Sequence, residues 1–505
     1  MKNKKVELKN VLLYFVFLCF LFISIYLKIN YHIDELFSYN LSNHNGTSAF
    51  IFEDGIKYED FNDRFLEYST TSKETQFNIV NVWNNQKADV HPPLYYILFN
   101  FVSSLFVGEF SKWFPGIINI ILSLITFYYI RKILNILTNN KLIVFFTSLT
   151  YICCTGIIDD TAFFRMYVMA MLWVTVITYL FLRTTKNNDK INHYLIAFFA
   201  LLGALTHYYC IIYAFFISLI YVVTLILEKQ NNKLIHFCVC MIIAGVCALA
   251  IFPSMINHMF SGYRGAEATS NFFNLDDYIT RFIIFFKIIN NEIFADLLIY
   301  LLSIIILLFI IISIKNKRLM INKQYLLIFI PSILYFLLVS KIAAYKNERY
   351  ISLIYPVLFA GFICYLFELI SKLFTTKNKI IIPIVGIVYV VNGIYSAKWT
   401  YLYRETKNLI DASIKYKDKE CICVHGDANY DILHNSMELR NYRSVTFYNE
   451  ETIASIENKE EDGFILKLIK VNDSTHCLNE IKKQFPQFSH YELLGDSREI
   501  TYYIY

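Results

Sequence analysis

The 505-residue sequence lacks several familiar devices, and each absence narrows what the chain can do. It has no Gly-rich phosphate loop and no Walker motif, which argues against direct use of a soluble nucleotide through a P-loop. No block of basic residues stands out. The net charge of +5 is small and spread over short loops, unlike a nucleic-acid surface. No zinc-ligand spacing surrounds Cys421-Ile422-Cys423. No small-residue cleavage site follows the first apolar run, Val11 to Ile29, and that run is too long for a signal peptide. Preceded by Met1-Lys2-Asn3-Lys4-Lys5, it reads as a retained first helix starting in the cytoplasm. Matched pairs of broken helices in two halves are not evident either, which lowers a transporter reading.

What the chain has in quantity is apolar length. Hydrophobic residues make up 56% of it, in repeated runs that a soluble protein of this size does not need. Eight of the eleven cysteines lie in these runs, where they act as small hydrophobes. Cys421, Cys423 and Cys477 lie outside them, and one disulfide to Cys477 is weakly supported. After the first run, spans are expected at Leu94–Ile130, Ile143–Ile158, Met166–Leu182, His193–Thr206, Tyr208–Leu227, Leu234–Ser254, Phe294–Ile314, Tyr325–Lys341, Tyr350–Ile370 and Ile380–Ala397. Leu94–Ile130 contains two apolar halves around Gly108-Glu109-Phe110-Ser111-Lys112, so 11 to 13 spans are allowed.

The basic loops are Arg131-Lys132 with Lys141, Arg183 to Lys190, Lys229 with Lys233, Lys315 to Lys323, and Lys372 to Lys379. The positive-inside rule puts them in the cytoplasm. The segments Tyr31–Pro93, Asp159–Arg165, Thr206–Tyr209, Met255–Ile293 and Ala343–Arg349 then face outward, and they hold nearly all the unusual polar residues. In Tyr31–Pro93, Phe61, Phe65 and Leu66 at helical spacing predict short amphipathic helices on the membrane surface. From Lys398 onward, strands at Cys421–His425, Val445–Tyr448, Phe464–Ile469 and Ile500–Ile504 alternate with helices at Asp431–Arg440, Glu451–Asn458 and Leu478–Phe485. The chain therefore divides into a membrane domain, 1–397, with an outer loop at 31–93, and a small outer α/β domain, 398–505.

Two polar motifs sit at the ends of the first outer loop. His32-Ile33-Asp34-Glu35 follows the first span, and Asp89-Val90-His91-Pro92-Pro93-Leu94 precedes the next. A carboxylate at a membrane edge can take a proton from a hydroxyl or hold a divalent cation, although solvated acids at helix ends are common. The two prolines set the angle of His91 before a helix. Arg165 and Arg349 each start a span on the same side, and guanidinium groups suit phosphate oxygens, though a single snorkelling arginine is ordinary. His207 and Tyr208 lie at a span junction. Asp159-Asp160 offers two acids to a cation, although a solvated helix end is the commoner reason for such a pair.

Asp34-Glu35, the Asp89-to-Leu94 block, Arg165-Met166-Tyr167, Thr206-His207-Tyr208 and Arg349-Tyr350 with Pro356 resemble, in that order, the protein O-mannosyltransferase-like bacterial branch of the GT-C membrane glycosyltransferases. The resemblance covers roughly residues 10–400. It implies a GT-C-like α-helical polytopic fold and a plasma-membrane enzyme acting on the outer face in making cell-envelope glycan. The donor would be a polyprenyl-phosphate sugar. A hydroxyl of a lipid, glycan or protein would be the acceptor of one hexosyl or pentosyl unit. Asp34 matches the essential acid, Glu35 its neighbour, and Arg349 a position near the donor phosphate. Asp89, His91, Arg165, His207 and Tyr208 would line the substrate. Some members use a divalent ion. Tyr95-Tyr96 stands where eukaryotic members have Gly-Lys, and no sugar-recognition domain is inserted between spans, two departures that count against a mannose donor and a protein acceptor; the short α/β tail fits the bacterial branch better. The competing reading is a transporter or flippase of a lipid-linked glycan, which needs polar residues along a path through several spans. A scaffolding membrane protein gives no reason for acids and arginines to gather.

Overall fold

The computed structural model describes residues 2–46, 49–187, 191–274, 276–317, 322–426, 429–456, 462–497 and 499–505. The expected basic stretches at 188–190 and 318–321 and the helix end at 457–458 lie outside them. The chain is a multi-pass helical membrane protein: nine helices among the described residues are long and apolar enough to cross a membrane, or ten if one bent pair is a single span.

This is fewer than the 11 to 13 expected, and helix length is the reason. Leu94–Ser103 has ten residues, a rise of about 15 Å against a hydrocarbon core of roughly 30 Å. Trp113–Leu137, after it, is a full 25-residue span. The two halves of Leu94–Ile130 are therefore one short helix and one long one. Asn192–Ala204 is also short. The expected span at Ile143–Ile158 breaks into Lys141–Ile152 and Thr155–Thr161, bent by 51°.

Contacts divide the chain into two units that are not collinear with the sequence. One comprises Met1–Tyr26, Gln86–Tyr95 and Pro115–Trp399; the other comprises Leu27–Asn85, Tyr96–Phe114 and Thr400–Tyr505.

In the first unit, buried polar side chains hold the irregular segments between helices. Asn119 donates to the carbonyls of Thr161 at 3.1 Å and Phe163 at 3.0 Å, and receives the Tyr95 hydroxyl at 3.3 Å. These bonds fix the turn that leads into Arg165. At the bend, Gly156 lies against the helix Tyr278–Phe294. A methyl group there would sit 2.5 Å from the Glu292 carbonyl oxygen. The missing side chain thus lets two backbones touch.

The second unit is built on a six-stranded sheet. Its strands are β1 (Lys57–Tyr58), β2 (Glu420–His425), β3 (Ser444–Asn449), β4 (Phe464–Ile469), β5 (Tyr491–Gly495) and β6 (Ile500–Ile504), in the order β1-β3-β2-β4-β6-β5. The central β3, β2 and β4 are parallel, and every residue of β2 and β4 is buried, as expected for strands covered on both faces. Cys477 and Ile481 of the helix Ser474–Gln484, with Phe485 just after it, pack on Ile422, Val424, Leu466 and Leu468. On the other face, Lys467 is buried with Glu438 at 2.5 Å and Thr501 at 3.3 Å. Cys421, Cys423 and Cys477 are all free thiols, so no disulfide forms.

The edge strand β1 comes from the loop after the first span and pairs antiparallel with β3. Its neighbour, the helix Phe61–Ser69, does not expose its aromatic face. Phe61 and Phe65 are buried, and Phe52, Phe61 and Phe447 of β3 stack together. The amphipathic pattern expected to lie on a membrane surface is instead satisfied by the sheet's own aromatic neighbours.

Gly156→Ala is expected to destabilise the protein by about 1–3 kcal/mol through overpacking against Glu292. Thermal unfolding of the purified chain checks this, and an unchanged midpoint would refute the close approach.

Candidate functional site

The polar motif after the first span is built by a helix start. His32 is the N-cap of the helix Ile33–Asn43, and its Nδ1 accepts the Asp34 amide at 3.1 Å. Glu35 reaches back to the His32 amide at 2.6 Å, which completes a capping box. The same carboxylate meets Lys28 Nζ at 3.0 Å, and both side chains are fully buried. Lys28 also donates to the Tyr401 carbonyl at 2.6 Å and lies over the rings of Tyr31 and Tyr403. Glu35, expected beside a substrate, thus holds the start of its own helix. Asp34 differs: its side chain is 22% exposed, within reach of a ligand.

The other predicted residues belong to the other unit, and four of them come together there. Asp89 Oδ2 lies 2.8 Å from His91 Nδ1. The other ring nitrogen, Nε2, lies 3.5 Å from Arg165 Nη2. Burial pushes the Asp89 carboxyl up. The attraction and hydrogen bond of His91, then Arg165 and the Val90 amide, outweigh it and hold the group below its usual range.

Local geometry explains how His91 reaches its neighbours. Pro92 and Pro93 have no N–H, and the first amide after them, Leu94, donates to the Leu205 carbonyl at 3.0 Å. That bond draws the His91 turn to the turn carrying His207, whose ring centre lies 6.2 Å from that of His91 and 5.3 Å from that of Tyr167. His207 is buried, and its Nδ1 accepts the Tyr209 amide at 3.1 Å. Burial lowers its pKa well below the ordinary histidine value, and His91, Arg165 and Arg349 lower it further. His207 is therefore a neutral imidazole with its proton on Nε2, a donor that adds no charge.

Arg349 acts on His207 electrostatically and is itself 7% exposed. Its guanidinium lies over Tyr345 and Tyr350, and Tyr350 touches Tyr209 with ring centres 5.7 Å apart. The Tyr208 hydroxyl turns instead to His258 Nδ1 at 2.8 Å, and His258 Nε2 meets the Lys87 carbonyl at 3.2 Å. Burial, then the Asp89 charge, raises the Tyr208 hydroxyl above its usual range, so it stays protonated.

The result is a carboxylate–imidazole–guanidinium chain, a second guanidinium and a neutral imidazole, packed at the ends of apolar helices. It can bind an anion and orient it. Among the described residues, no three His, Cys, Asp or Glu side chains group so as to hold a metal ion. Tyr167 and His258 were not foreseen; a histidine within an otherwise apolar stretch was the available signal for the second. Asp159 and Asp160, expected as solvated, are 2% and 3% exposed, because the helix Thr155–Thr161 folds back into the protein at the 51° bend. No family model and no curated protein matches the sequence.

Lys28→Met alone strands the buried Glu35 carboxylate, with an expected cost of about 3–5 kcal/mol. Lys28→Met with Glu35→Gln removes both charges and keeps an acceptor for the His32 amide, so it should recover most of that loss. Chemical denaturation of the three proteins checks this; equal losses for the single and double variants would contradict it.

Proposed function

We propose that the protein is a GT-C-type membrane glycosyltransferase that moves one sugar from a polyprenyl-phosphate carrier to a hydroxyl acceptor. The observation that supports this reading best is the gathering of Asp89, His91, Arg165 and His207, with Arg349 acting on His207, in one part-buried polar site of an apolar protein. Two guanidiniums beside a histidine kept neutral make a site for a phosphate rather than for a cation.

In this reading Arg165 and Arg349 hold the donor phosphate, with Asp89 and His91 orienting Arg165. The acceptor oxygen attacks the anomeric carbon as the carbon–oxygen bond to phosphate breaks. The bonding pair leaves on the phosphate oxygen, where the guanidiniums balance the growing charge. A carboxylate takes the acceptor proton, the part that the sequence resemblance gives to Asp34. A single in-line displacement inverts the anomeric centre. Phosphate is already a weak base, so departure needs no strong acid. By the positive-inside rule the reaction faces away from the cytoplasm, in the plasma membrane. The acceptor is a lipid, glycan or protein hydroxyl of the cell envelope.

The test is turnover of a panel of polyprenyl-phosphate sugars by the purified protein. Asp34→Asn should abolish transfer with donor binding intact, and Arg349→Ala should weaken donor binding by about tenfold or more, as for loss of a charge-assisted phosphate contact. No turnover across the panel, or full activity in Asp34→Asn, would overturn the reading.

A further inference from the structure

Acidic groups gather at a second place in the membrane-helix unit. Asp159 and Asp160 lie on the folded-back helix Thr155–Thr161, Glu292 near the end of Tyr278–Phe294, and Glu348 next to Arg349. They are close enough to act on one another: Glu292, Glu348 and Asp159 bear on Asp160, while Asp159 and Glu348 bear on Glu292. Burial first, and then Asp159 and Glu348, push the Glu292 carboxyl up to about 8, although Lys398 opposes them.

A group of acids is not a site by itself, and an independent observation makes this one so. The Tyr355 hydroxyl is fully buried, is acted on by Glu292, Asp160 and Glu348, and has no hydrogen-bond partner among the described residues. Asp160 Oδ2, on a side chain that is 97% buried, has none among them either. Leaving either group unpaired in a dry interior is costly. Two such groups at one place point to something that completes them.

A group that completes them donates hydrogen bonds to carboxyl and phenol oxygens, and a positive charge on it favours the ionised form of the acids it meets. A metal ion is a poor match, because no three of these side chains group so as to hold one. An ammonium fits: it has three donors, no acceptor, and a spread of contact directions that separated oxygens can meet.

We propose that Asp160, Glu292 and the Tyr355 hydroxyl form a receptor for an ammonium group carried by the substrate. This rests on the transferase reading for the word substrate, and it narrows that reading to amine-bearing compounds. The ammonium belongs either to an amino sugar on the donor or to an ethanolamine headgroup on a lipid acceptor.

The experiment is native mass spectrometry of the full-length protein with two probe pairs. One pair is polyprenyl-phosphate glucosamine and its N-acetyl form; the other is phosphatidylethanolamine and its N-acetyl form. One of the two amines should be retained about tenfold more strongly than its acetylated partner, the size of a charge-assisted contact. The pair that shows the preference identifies the source. Asp160→Asn and Glu292→Gln should each cut the preference below about threefold and leave binding of the acetylated form unchanged. Tyr355→Phe, which removes only a hydroxyl, should also lower it and serves where a carboxamide variant fails to fold. Equal retention within both pairs, or a preference that survives the substitutions, overturns the proposal. Sugar transfer is scored separately. Turnover of the N-acetylated donor without any amine preference sinks this inference and spares the transferase, whereas an amine preference with no turnover on any donor does the opposite.

Discussion

An ion pair without water around it, Lys28 with Glu35, governs everything that begins at His32. Two fully buried charges are tolerable only when each satisfies the other and the remaining bonds are filled. Here Glu35 also accepts the His32 amide, and Lys28 also donates to the Tyr401 carbonyl. The carboxylate that closes the capping box is thus the one that neutralises the lysine. Losing the lysine alone strands the carboxylate, and Asp34 takes its direction from the helix start that Glu35 closes. A lysine at the end of an apolar run usually snorkels to water. This one is turned inward, where its charge becomes a constraint on backbone geometry.

In the membrane-helix unit the comparable constraint is made by neutral groups. Tyr95 and Asn119 fix the turn before Arg165, and the Leu94 amide fixes the turn before His207. Each is a hydrogen bond in an apolar setting, where an unmade bond is expensive. The charged residues are therefore positioned by a frame that carries no charge. Burial, and then the positive charge of His91, Arg165 and Arg349, keeps His207 neutral, while Glu348 acts on the acids Asp160 and Glu292. Adjacent residues on one short helical turn thus serve two electrostatic neighbourhoods of opposite sign.

The membrane character and the central strands were legible in the sequence, because hydrophobic runs and β-branched segments report burial directly. The break in Leu94–Ile130 was visible as a polar insert, but only the ten-residue helix shows which half fails to span. Strand β1 could not be read from two residues, since its partner lies far along the chain and its pattern is set by pairing rather than by composition. Asp159-Asp160 carried the opposite difficulty. Two adjacent acids read as solvated, and nothing local announces that a bend returns them to the interior. Among the substrate residues that the resemblance implied, Asp89, His91, Arg165 and His207 do meet. The ion pair of Glu35 with Lys28, seven residues earlier, was the contact a helix-capping argument could have found.

The pairing of Lys57–Tyr58 with β3 has a consequence for biosynthesis. The Lys57 ammonium and the Glu420 carboxylate that meet across that sheet are separated by 363 positions in the chain. A ribosome delivers the outermost strand first and its sheet last, after all the intervening helices. Until then the aromatic faces of Phe52 and Phe61 wait without the ring of Phe447 that covers them. Maturation is therefore gated by the arrival of the final hundred residues, and a shortened polypeptide would leave its sticky early loop for quality control to find.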